Sequence, residues 1–359
     1  MHTITVRLGE RSYPILIGEG LFNQSGRLIS KLLQPACRVA VVTDRNVGKL
    51  YAGSFNRQLV GAGFNPRIIT LPGGESTKSS TYLNRLYNEF IAHRLERQSA
   101  VIALGGGVIG DIAGLAAATF MRGISFIQLP TSLLAQVDSS VGGKVAINLP
   151  QGKNLVGAFH QPELVIIDPL FLKTLPRPEF INGMTEVIKM ALIRSTRLVR
   201  FLLQNNYKII KLDNDCLAEM IYQALSIKAR IVEADEKETG RRAVLNYGHT
   251  IGHVIELAGK YPHGKAIAFG MHYAALIARQ MKLLNDRFVQ QQDNLLKQYS
   301  LPVKLTKKIP AAEIIKRLRF DKKVKGGKVR FVLLKGIGKT VIVNNVTPAI
   351  IKKALSDCS

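Results

Sequence analysis

Residues 99–120, SAVIALGGGVIGDIAGLAAATF, decide the fold class of this chain. The apolar run from Ala100 to Leu104 has the length of a buried strand and ends in three consecutive glycines. Small and apolar residues then continue over a helical length to Phe120. The stretch therefore predicts a strand, a tight turn and a helix. Its glycines suit a phosphate at the positive end of the helix, but they also suit a purely structural turn. Both interpretations stay open.

Similar strand-like runs occur on both sides of this stretch. The two N-terminal runs predict a β-hairpin with its turn at Gly9 to Arg11. Helical segments such as 81–97 separate the later runs, and this alternation indicates a parallel sheet that is covered on both faces. Ligands of such sheets bind at the carboxyl ends of the strands. The runs are ITVRLG (4–9), SYPILIG (12–18), CRVAVVTD (37–44), PRIITLPGG (66–74) and ISFIQLPT (124–131).

The pattern changes after Pro176 and Pro178, because apolar residues then recur at helical spacing. We expect an α/β N-terminal Rossmann-like domain with a parallel sheet over residues 1–178. A mainly α-helical C-terminal domain is expected over residues 179–359. The helical segments include 184–193, 217–236 and 266–284, and a strand-like pair follows at 328–334 and 339–346.

The composition is that of a globular protein, with 47% hydrophobic and 21% charged residues in a chain of 359. The charged N-terminus does not predict a signal peptide, and the apolar runs are too short to cross a membrane. Cys37, Cys216 and Cys358 are widely spaced and form no CxxC pair. They favour a reducing cytoplasm and argue against both a disulfide framework and a cysteine zinc site.

The formal net charge of +25 raises the alternative of a nucleic-acid-binding protein. Basic residues are spread along the chain, with the highest density in 307–330. Aromatic side chains do not interleave with them, and the chain has no tryptophan, so a base-stacking platform is not indicated. The charge favours a solvated surface with a few positions that bind an anionic substrate.

Polar residues follow several of the predicted strands. Asp44 is placed to accept a hydrogen bond from a ribose hydroxyl, and PGGESTK (72–78) adds a second glycine turn. Together with the turn after Leu104, these strand ends favour a dinucleotide. The polar, glycine-rich stretch 136–162 is long for a connection and is expected to be a functional loop. It carries four candidate residues, Asp138, Lys144, Lys153 and Asn154.

Three of the seven histidines lie in NYGHTIGHVIELAGKYPHGKAIAFGM, residues 246–271. His249 and His253 share one face of a predicted helix, and His263 lies beyond a turn. Glu186 and Lys189 share a face of another helix. A glutamate with two or three histidines is typical of a catalytic zinc site, whereas a lone histidine usually has a structural role. Periodicity alone pairs His249 with His253, and spacing does not settle which three residues bind the metal.

The longer motifs resemble those of the 3-dehydroquinate synthase family, in the family's order. Within them, serine follows Thr131 where the family commonly has a second threonine. The motifs are GGGVIGDIAGLAAATFMRG (105–123), LPTSLLAQVDSSVGGKVAIN (129–148), GKNLVGAFHQP (152–162), MTEVIKMALI (184–193), IKARIVEADEKETGRRAVLNYGHTIGH (227–253) and DKKVKGGKVRFVL (321–333).

The resemblance implies a phosphate-eliminating carbon–oxygen lyase of the shikimate pathway, which leads to chorismate and the aromatic amino acids. It implies conversion of 3-deoxy-D-arabino-heptulosonate 7-phosphate to 3-dehydroquinate and phosphate, with catalytic NAD⁺ and Zn²⁺ or Co²⁺. In that reaction a ring alcohol is oxidised, phosphate leaves, the ketone is reduced again, and ring opening precedes an aldol closure. A cytoplasmic homodimer is also implied.

The resemblance replaces the histidine pair with Glu186, His249 and His263 as metal ligands. It gives His253 a role in substrate contact and proton transfer, beside the active-site residues Lys189, Asn246 and Asp138. Lys228 and Arg242 are implied to hold the substrate carboxylate. The remaining substrate residues are implied to be Arg122, donated across a dimer interface, and a phosphate group of Lys144, Asn154, Asn246 and one of two lysines, of which Lys323 is preferred to Lys322.

The resemblance also implies an NAD⁺ site in the first domain. The family usually has glutamate after its last metal ligand and the next glycine, where this chain has Lys265. We expect the Lys265 ammonium to face solvent and to leave the metal site intact. The implied NAD⁺-binding residues are Asp44, Asn46, Gly73, Gly74, Glu75, Ser76, Thr77, Lys78, Gly107, Val108, Ile109, Gly110, Asp111, Thr131, Ser132, Lys144, Lys153, Phe171, Leu172, Lys173 and Thr174.

Two related classes of enzyme remain alternatives. Other sugar-phosphate cyclases act on substrates without a carboxylate and have no need of Lys228 and Arg242. Metal-dependent glycerol-type dehydrogenases release NADH and lack the phosphate-binding lysines and asparagines.

Overall fold

A computed structural model describes residues 1–259, 261–305, 309–318, 324–325 and 328–356. The chain divides into two compact units. The first comprises Met1–Pro176 and Leu217–Glu233, and the second comprises Arg177–Cys216 and Ala234–Ser359. From the sequence, residues 217–233 were expected in the C-terminal domain, but the structure groups them with the first unit. An amphipathic pattern shows that a helix has a buried face but not which core that face packs against. The domain boundary near residue 178 stays a prediction.

A seven-stranded sheet forms the centre of the first unit, in the order β1-β2-β9-β6-β5-β3-β4. Only β1 and β2 pair antiparallel within it, as the predicted hairpin. The other neighbouring strands are parallel. The nine strands of this unit are β1 (His2–Val6), β2 (Tyr13–Ile17), β3 (Arg38–Asp44), β4 (Asn65–Leu71), β5 (Ala100–Gly105), β6 (Ser125–Pro130), β7 (Lys144–Leu149), β8 (Gly152–Phe159) and β9 (Leu164–Ile167).

Both faces of the sheet are covered, as the continuous apolar runs predict. Along β3, Val39 and Val41 pack into one buried cluster, whereas Ala40 and Val42 pack into the other. The α/β fold prediction is therefore confirmed. The helices of this unit are α1 (Ser25–Ile29), α2 (Arg45–Val47), α3 (Gly53–Gly61), α4 (Ser80–Ala92), α5 (Gly107–Thr119) and, later in the chain, most of α9 (Asn214–Ala234).

The stretch 136–162 is not an irregular loop, so that part of the prediction was wrong. A π-helical turn over Ala135–Ser139 leads into an antiparallel ribbon of β7 and β8. Val145 and Ile147 alternate inward and join the core beneath α5. Only these two positions of β7 are fully buried, which explains why the polar and glycine-rich sequence did not indicate a strand.

The second unit is mainly helical, with α11 buried along most of its length. The predicted strand pair near the end is confirmed as β12 and β13, which run antiparallel. The elements that follow β9 in the chain are α6 (Arg177–Arg194), α7 (Thr196–Gln204), α8 (Asn206–Ile210), α9 (Asn214–Ala234), α10 (His249–Gly259), α11 (His263–Gln280), α12 (Asp286–Gln298), α13 (Ala311–Leu318), β10 (Val324–Lys325), β11 (Lys328–Val329), β12 (Phe331–Gly336), β13 (Lys339–Val343) and α14 (Pro348–Ser356).

Glycines set the close approach of α10 and α11. A Cβ on Gly252 would lie 3.0 Å from the Ala266 carbonyl oxygen and 2.8 Å from Ile267 Cδ1. A Cβ on Gly270 would collide with the carbonyl oxygen of Gly248. The two helices that carry the histidines are thus packed backbone to backbone. Within the described part of the chain, no helix is long and apolar enough to cross a membrane.

Candidate active site

The strand order of the first unit reverses at β3, whose neighbours are β4 and β5. Crevices at such switch points are the usual ligand sites of parallel sheets. Asp44 ends β3, and its Oδ1 accepts hydrogen bonds from the N–H groups of Asn46 (2.8 Å) and Val47 (3.1 Å). Asn46 in turn lies beside Gly73, which follows β4. The structure thus brings three of the predicted NAD⁺-binding positions to one edge of the sheet.

In the turn after β5, neighbouring side chains leave little room for any residue larger than glycine. A Cβ on Gly105 would lie 2.8 Å from Ile109 Cβ, and one on Gly107 would lie 2.9 Å from Ser139 Oγ. A Cβ on Gly106 would lie 3.3 Å from Ser132 Oγ. The backbone at the start of α5 is therefore bare of side chains, and helix N-termini present N–H groups to anions. This geometry fits the pyrophosphate of a dinucleotide.

Lys78 links several of the predicted residues. Its Nζ donates to Asp111 Oδ2 and to Asn154 Oδ1, each at 2.5 Å, and lies 3.8 Å from Glu75 Oε1. The Lys78 side chain is only 5% exposed. Burial raises the pKa of Asp111 to about 6, and the Lys78 charge opposes that rise. The buried Lys78 ammonium thus joins two other predicted cofactor positions, Asp111 and Glu75, to the predicted substrate position Asn154.

A second buried lysine pairs with a predicted active-site carboxylate. Lys228 on α9 donates from Nζ to Asp138 Oδ1 at 2.6 Å and also contacts the Asp138 carbonyl oxygen. Both residues belong to the first unit. Because the Lys228 side chain is only 5% exposed, its ammonium depends on this partner or on a bound anion.

Other predicted residues are not gathered into these clusters. Lys144 pairs with Phe159 at one end of the β7–β8 ribbon, whereas Lys153 lies at the turn end. Arg122 is exposed and has a left-handed φ of 70°. Lys323 lies outside the described residues. The remaining predicted positions are Gly74, Ser76 and Thr77 after β4, Val108, Ile109 and Gly110 in α5, Thr131 and Ser132 after β6, buried Phe171 and Leu172, and exposed Lys173 and Thr174.

The second unit brings Glu186, His249 and His263 together. Their candidate ligand atoms all lie within 4.8 Å of one another. Glu186 Oε1 lies 3.6 Å from His249 Nε2 and 3.9 Å from His263 Nε2. The Glu186 side chain is 1% exposed, and its Oε1 receives no hydrogen bond from any described residue. A buried carboxylate oxygen that faces two imidazole nitrogens fits a divalent cation.

The hydrogen bonds on the other sides of the rings fix the histidine tautomers. His249 Nδ1 lies 3.1 Å from the Tyr247 carbonyl oxygen, and His263 Nδ1 lies 3.0 Å from Glu256 Oε2. Both oxygens only accept, so each Nδ1 carries a hydrogen and each Nε2 is the nitrogen that faces Glu186. Burial lowers the pKa of His263, but the Glu256 hydrogen bond and the Glu186 and Glu256 charges outweigh it and raise that pKa.

Two further predicted residues border this cluster. The Lys189 ammonium contacts Glu186 Oε2 and is almost fully buried. The His253 ring lies 5.2 Å from that of His249 and 6.2 Å from that of His263, measured between centroids. His253 forms a second candidate metal group with Glu256 and His263. Geometry alone therefore offers two overlapping donor sets that share His263.

The start of α11 is fixed by α6. The Gly264 N–H donates to Asn182 Oδ1 at 2.5 Å, and Thr185 Oγ1 donates to the Gly264 carbonyl at 3.1 Å. A Cβ on Gly264 would lie 2.7 Å from Asn182 Cα. Glu186 is next along α6, so the same helix supplies a donor and holds His263 in place. Lys265 is exposed, which confirms the expected direction of its side chain.

The segment before α10 carries Arg242 and Asn246 in a 3₁₀ helix, Arg241–Asn246. Asp235 accepts hydrogen bonds from the N–H groups of Thr239, Gly240 and Arg242 at 2.8 to 2.9 Å. Burial acts to raise the pKa of Asp235, but these bonds outweigh it and hold the pKa far below its usual range. The Arg242 guanidinium is buried and donates to the Glu236 carbonyl oxygen at 2.6 Å.

Three residues of the second unit were not predicted from the sequence. Asp235 organises the loop of Arg242, Glu238 Oε1 accepts from Asn246 Nδ2 at 3.0 Å, and Glu256 holds His263. For Glu256 a signal existed, because positions 249, 253 and 256 share one helical face. Asp235 and Glu238 lie in an irregular loop, where no periodicity marks a residue's neighbours.

Comparison with known proteins places the chain in a family. The model of the 3-dehydroquinate synthase N-terminal region matches residues 68–182, and that of the C-terminal region matches residues 183–324. The chain belongs to the 3-dehydroquinate synthase family. The 3-dehydroquinate synthase of Desulforamulus reducens is 45% identical, and the alignment covers 99% of this chain and 100% of the relative.

Solved structures with the same fold include enzymes other than 3-dehydroquinate synthases. A 2-deoxy-scyllo-inosose synthase in complex with carbaglucose-6-phosphate, NAD⁺ and Co²⁺ has a TM-score of 0.90 at 29% identity, with 100% of both chains covered. A 2-epi-5-epi-valiolone synthase from Streptomyces hygroscopicus with NAD⁺ and Zn²⁺ has a TM-score of 0.89 at 26% identity, with 98% of both chains covered. The fold of these two synthases is therefore shared over at least 98% of this chain.

Proposed function

We propose that this chain is a 3-dehydroquinate synthase. It converts 3-deoxy-D-arabino-heptulosonate 7-phosphate to 3-dehydroquinate and phosphate, and it is thereby a phosphate-eliminating carbon–oxygen lyase of the shikimate pathway. The observation that carries the proposal is the buried Glu186 carboxylate, whose Oε1 faces the Nε2 atoms of His249 and His263 in a chain of this family. That donor set is of the catalytic type, in which three protein ligands would hold the cation and leave a position for substrate.

Glu186, His249 and His263 would hold a divalent cation, Zn²⁺ or Co²⁺. Such a cation lowers the pKa of a coordinated hydroxyl and so favours its oxidation. The chain's own residues prepare the site before any metal binds. Tyr247 and Glu256 orient the two imidazoles, and Lys189 places a positive charge beside Glu186 where an anionic substrate can be held.

NAD⁺ would bind at the glycine turn of α5 and along the strand ends of Asp44 and Gly73. Bound there, NAD⁺ would supply a reversible hydride acceptor, so that the overall reaction has no net change of oxidation state. The protein supplies the helix N-terminus for the pyrophosphate and the Asp44 carboxylate for a ribose hydroxyl. Both neighbouring structures described above contain NAD⁺, which supports this assignment.

The carboxylate and the phosphate of the proposed substrate need cationic or hydrogen-bonding side chains to bind them. Arg242 and Lys228 are buried cations suited to a carboxylate, and we assign the phosphate to Lys144, Asn154 and Asn246 with Lys323. His253 borders the metal group and is placed to move a proton. Asp138 holds the Lys228 ammonium in position.

A homodimer in the cytoplasm is part of the proposal. Arg122 lies in an exposed turn with φ values of 48° for Met121 and 70° for Arg122, a conformation that needs support from its surroundings. If Arg122 serves the partner's site, mixing inactive Arg122→Ala with inactive His249→Ala protein restores part of the activity. No restoration on mixing, with subunit exchange shown to occur, contradicts the shared site.

A second candidate is another sugar-phosphate cyclase, favoured by the structural likeness to the inosose and valiolone synthases. The two candidates differ in whether the substrate carries a carboxylate. We would supply the purified protein with NAD⁺ and Co²⁺ and measure phosphate release from the heptulosonate 7-phosphate and from glucose 6-phosphate. We expect release from the first substrate only. Release from glucose 6-phosphate alone identifies the other class.

A further inference from the structure

Glu256 lies outside the Glu186, His249 and His263 group but contacts it. It is on α10, seven residues after His249 and three after His253, so all three side chains project from the same face of the helix. Its Oε2 lies 3.0 Å from His263 Nδ1, and its side chain is 15% exposed. A carboxylate in this position is held close to an imidazole that begins the next helix, α11.

The contact determines which nitrogen of His263 faces the metal group. An ionised carboxylate only accepts hydrogen bonds, so Nδ1 carries a hydrogen and Nε2 is the nitrogen that lies 3.9 Å from Glu186 Oε1. The His263 side chain is 31% exposed, against 12% for His249. His263 is thus the less enclosed of the two rings, and the Glu256 bond restricts its rotation.

We propose that Glu256 is a positioning residue, which orients His263 and increases its basicity so that Nε2 serves the divalent cation together with Glu186 and His249. This inference rests on the proposed function. Carboxylates on the far nitrogen of a metal-binding histidine typically contribute 10- to 100-fold to metal affinity. The rival role is direct ligation, because Glu256, His253 and His263 also form a candidate donor set.

The test is a Co²⁺ titration of metal-free protein, followed by the visible absorption of the bound ion and by competition with a chelator. We expect Glu256→Ala to weaken Co²⁺ binding about 10- to 100-fold. Glu256→Gln keeps an acceptor oxygen without the charge, so its loss should be smaller. At saturation both variants should give the wild-type absorption bands, because no ligand of the ion has changed.

Asp293→Asn is the matched control. Asp293 Oδ1 lies 2.8 Å from His272 Nδ1 in the same unit, and its side chain is also 15% exposed, but neither residue belongs to a candidate metal group. This variant should bind Co²⁺ as the wild type does. If Glu256→Ala does not fold, Glu256→Gln decides the matter alone.

The outcomes separate the inference from the function on which it rests. Wild-type Co²⁺ affinity in both Glu256 variants overturns the positioning role and leaves the metal site intact. Altered absorption bands at saturation show that Glu256 is a ligand and also overturn it. If the wild-type protein binds no Co²⁺, the proposed function itself fails.

Discussion

Individual residues in this chain bury charge where ligands are proposed to bind. Glu186 is 1% exposed, and Lys78, Lys189 and Lys228 are each exposed by 5% or less. Taking one charge out of water costs several kcal/mol unless a partner or a ligand compensates for it. Stability alone therefore does not explain why these charged residues are buried, whereas substrate and cofactor binding would explain their positions.

Lys78→Met tests the cluster of buried charges beside α5. Asp111 loses its cationic partner, so its pKa rises above the present value of about 6. Breaking a buried pair typically costs about 3 kcal/mol of unfolding free energy, whereas replacing both partners costs less. Urea denaturation should therefore show Lys78→Met to be less stable than the double variant Lys78→Met with Asp111→Leu. Strictly additive losses contradict this coupling.

Asp235→Asn tests the loop that carries Arg242. The pKa of Asp235 lies below its ordinary value, so its stabilising effect is complete above about pH 4 and disappears as the pH falls further. At pH 7 the variant should have a lower urea midpoint than the wild type, and the difference should narrow below about pH 4. Thr239→Ala, which removes only the hydroxyl bond to Asp235, should cost less. If the difference in urea midpoint between Asp235→Asn and the wild type does not change with pH, the Asp235 charge does not stabilise the segment.

For individual residues, the sequence identified which side chains belong to a candidate site better than it identified which of them lie next to one another. Helical periodicity paired His249 with His253 only, whereas the structure also places Glu186 and His263 beside His249. The reason is that Glu186 and His263 come from other helices, and their meeting depends on packing that spacing does not encode. Their roles as metal ligands came from the resemblance and stay a prediction.

Among the elements, α10 and α11 determine the geometry of the metal group. They approach through Gly248, Gly252 and Gly270, so no side chain separates the backbones that carry His249 and His263. The geometry of the donor set therefore depends on glycines that supply no ligand atom themselves. A packed core has little room for an added methyl group.

Gly252→Ala tests this packing. The new Cβ meets the Ala266 carbonyl oxygen at 3.0 Å and Ile267 Cα at 3.1 Å, so the helices must separate. We expect a loss of about 1 to 3 kcal/mol in unfolding free energy, together with weaker Co²⁺ binding. Gly61→Ala is the control, because a Cβ there meets nothing within 4 Å at the end of α3. It should stabilise the protein slightly. Equal effects at both positions contradict the packing argument.

The strands at the centre of the sheet were predictable because β3, β5 and β6 are continuous apolar runs bounded by turns. The β7–β8 ribbon was not, since five consecutive residues of β8 are exposed. The sequence also did not reveal that residues 217–233 belong to the first unit. An amphipathic helix shows which face is buried but not what buries it.

For the whole molecule, the formal net charge is +25, and only a few of the basic residues are assigned to cofactor or substrate binding. If it steers an anionic substrate, kcat/KM should fall several-fold as ionic strength rises, with kcat unchanged. Duplex DNA should not compete at physiological salt. Tight, steeply salt-dependent DNA binding would support the nucleic-acid alternative instead.

Two cofactors assigned to separate units should stabilise the protein independently. A ligand at one hundred times its Kd contributes about 2.7 kcal/mol, so NAD⁺ and Zn²⁺ should each raise the melting temperature. His249→Ala should lose the shift with Zn²⁺ and keep the shift with NAD⁺. A variant that loses both shifts, or neither, contradicts the assignment of the metal to this residue.

The central claim is that this chain uses NAD⁺ as a catalyst while it removes phosphate from the heptulosonate substrate. The most direct test supplies the purified, metal-loaded protein with excess 3-deoxy-D-arabino-heptulosonate 7-phosphate and a small fixed amount of NAD⁺. Phosphate and the absorbance of NADH are then followed together. We expect phosphate and 3-dehydroquinate in many-fold excess over NAD⁺, no accumulation of NADH, and loss of activity on chelation. NADH formed in step with product, or no phosphate from this substrate, would contradict it.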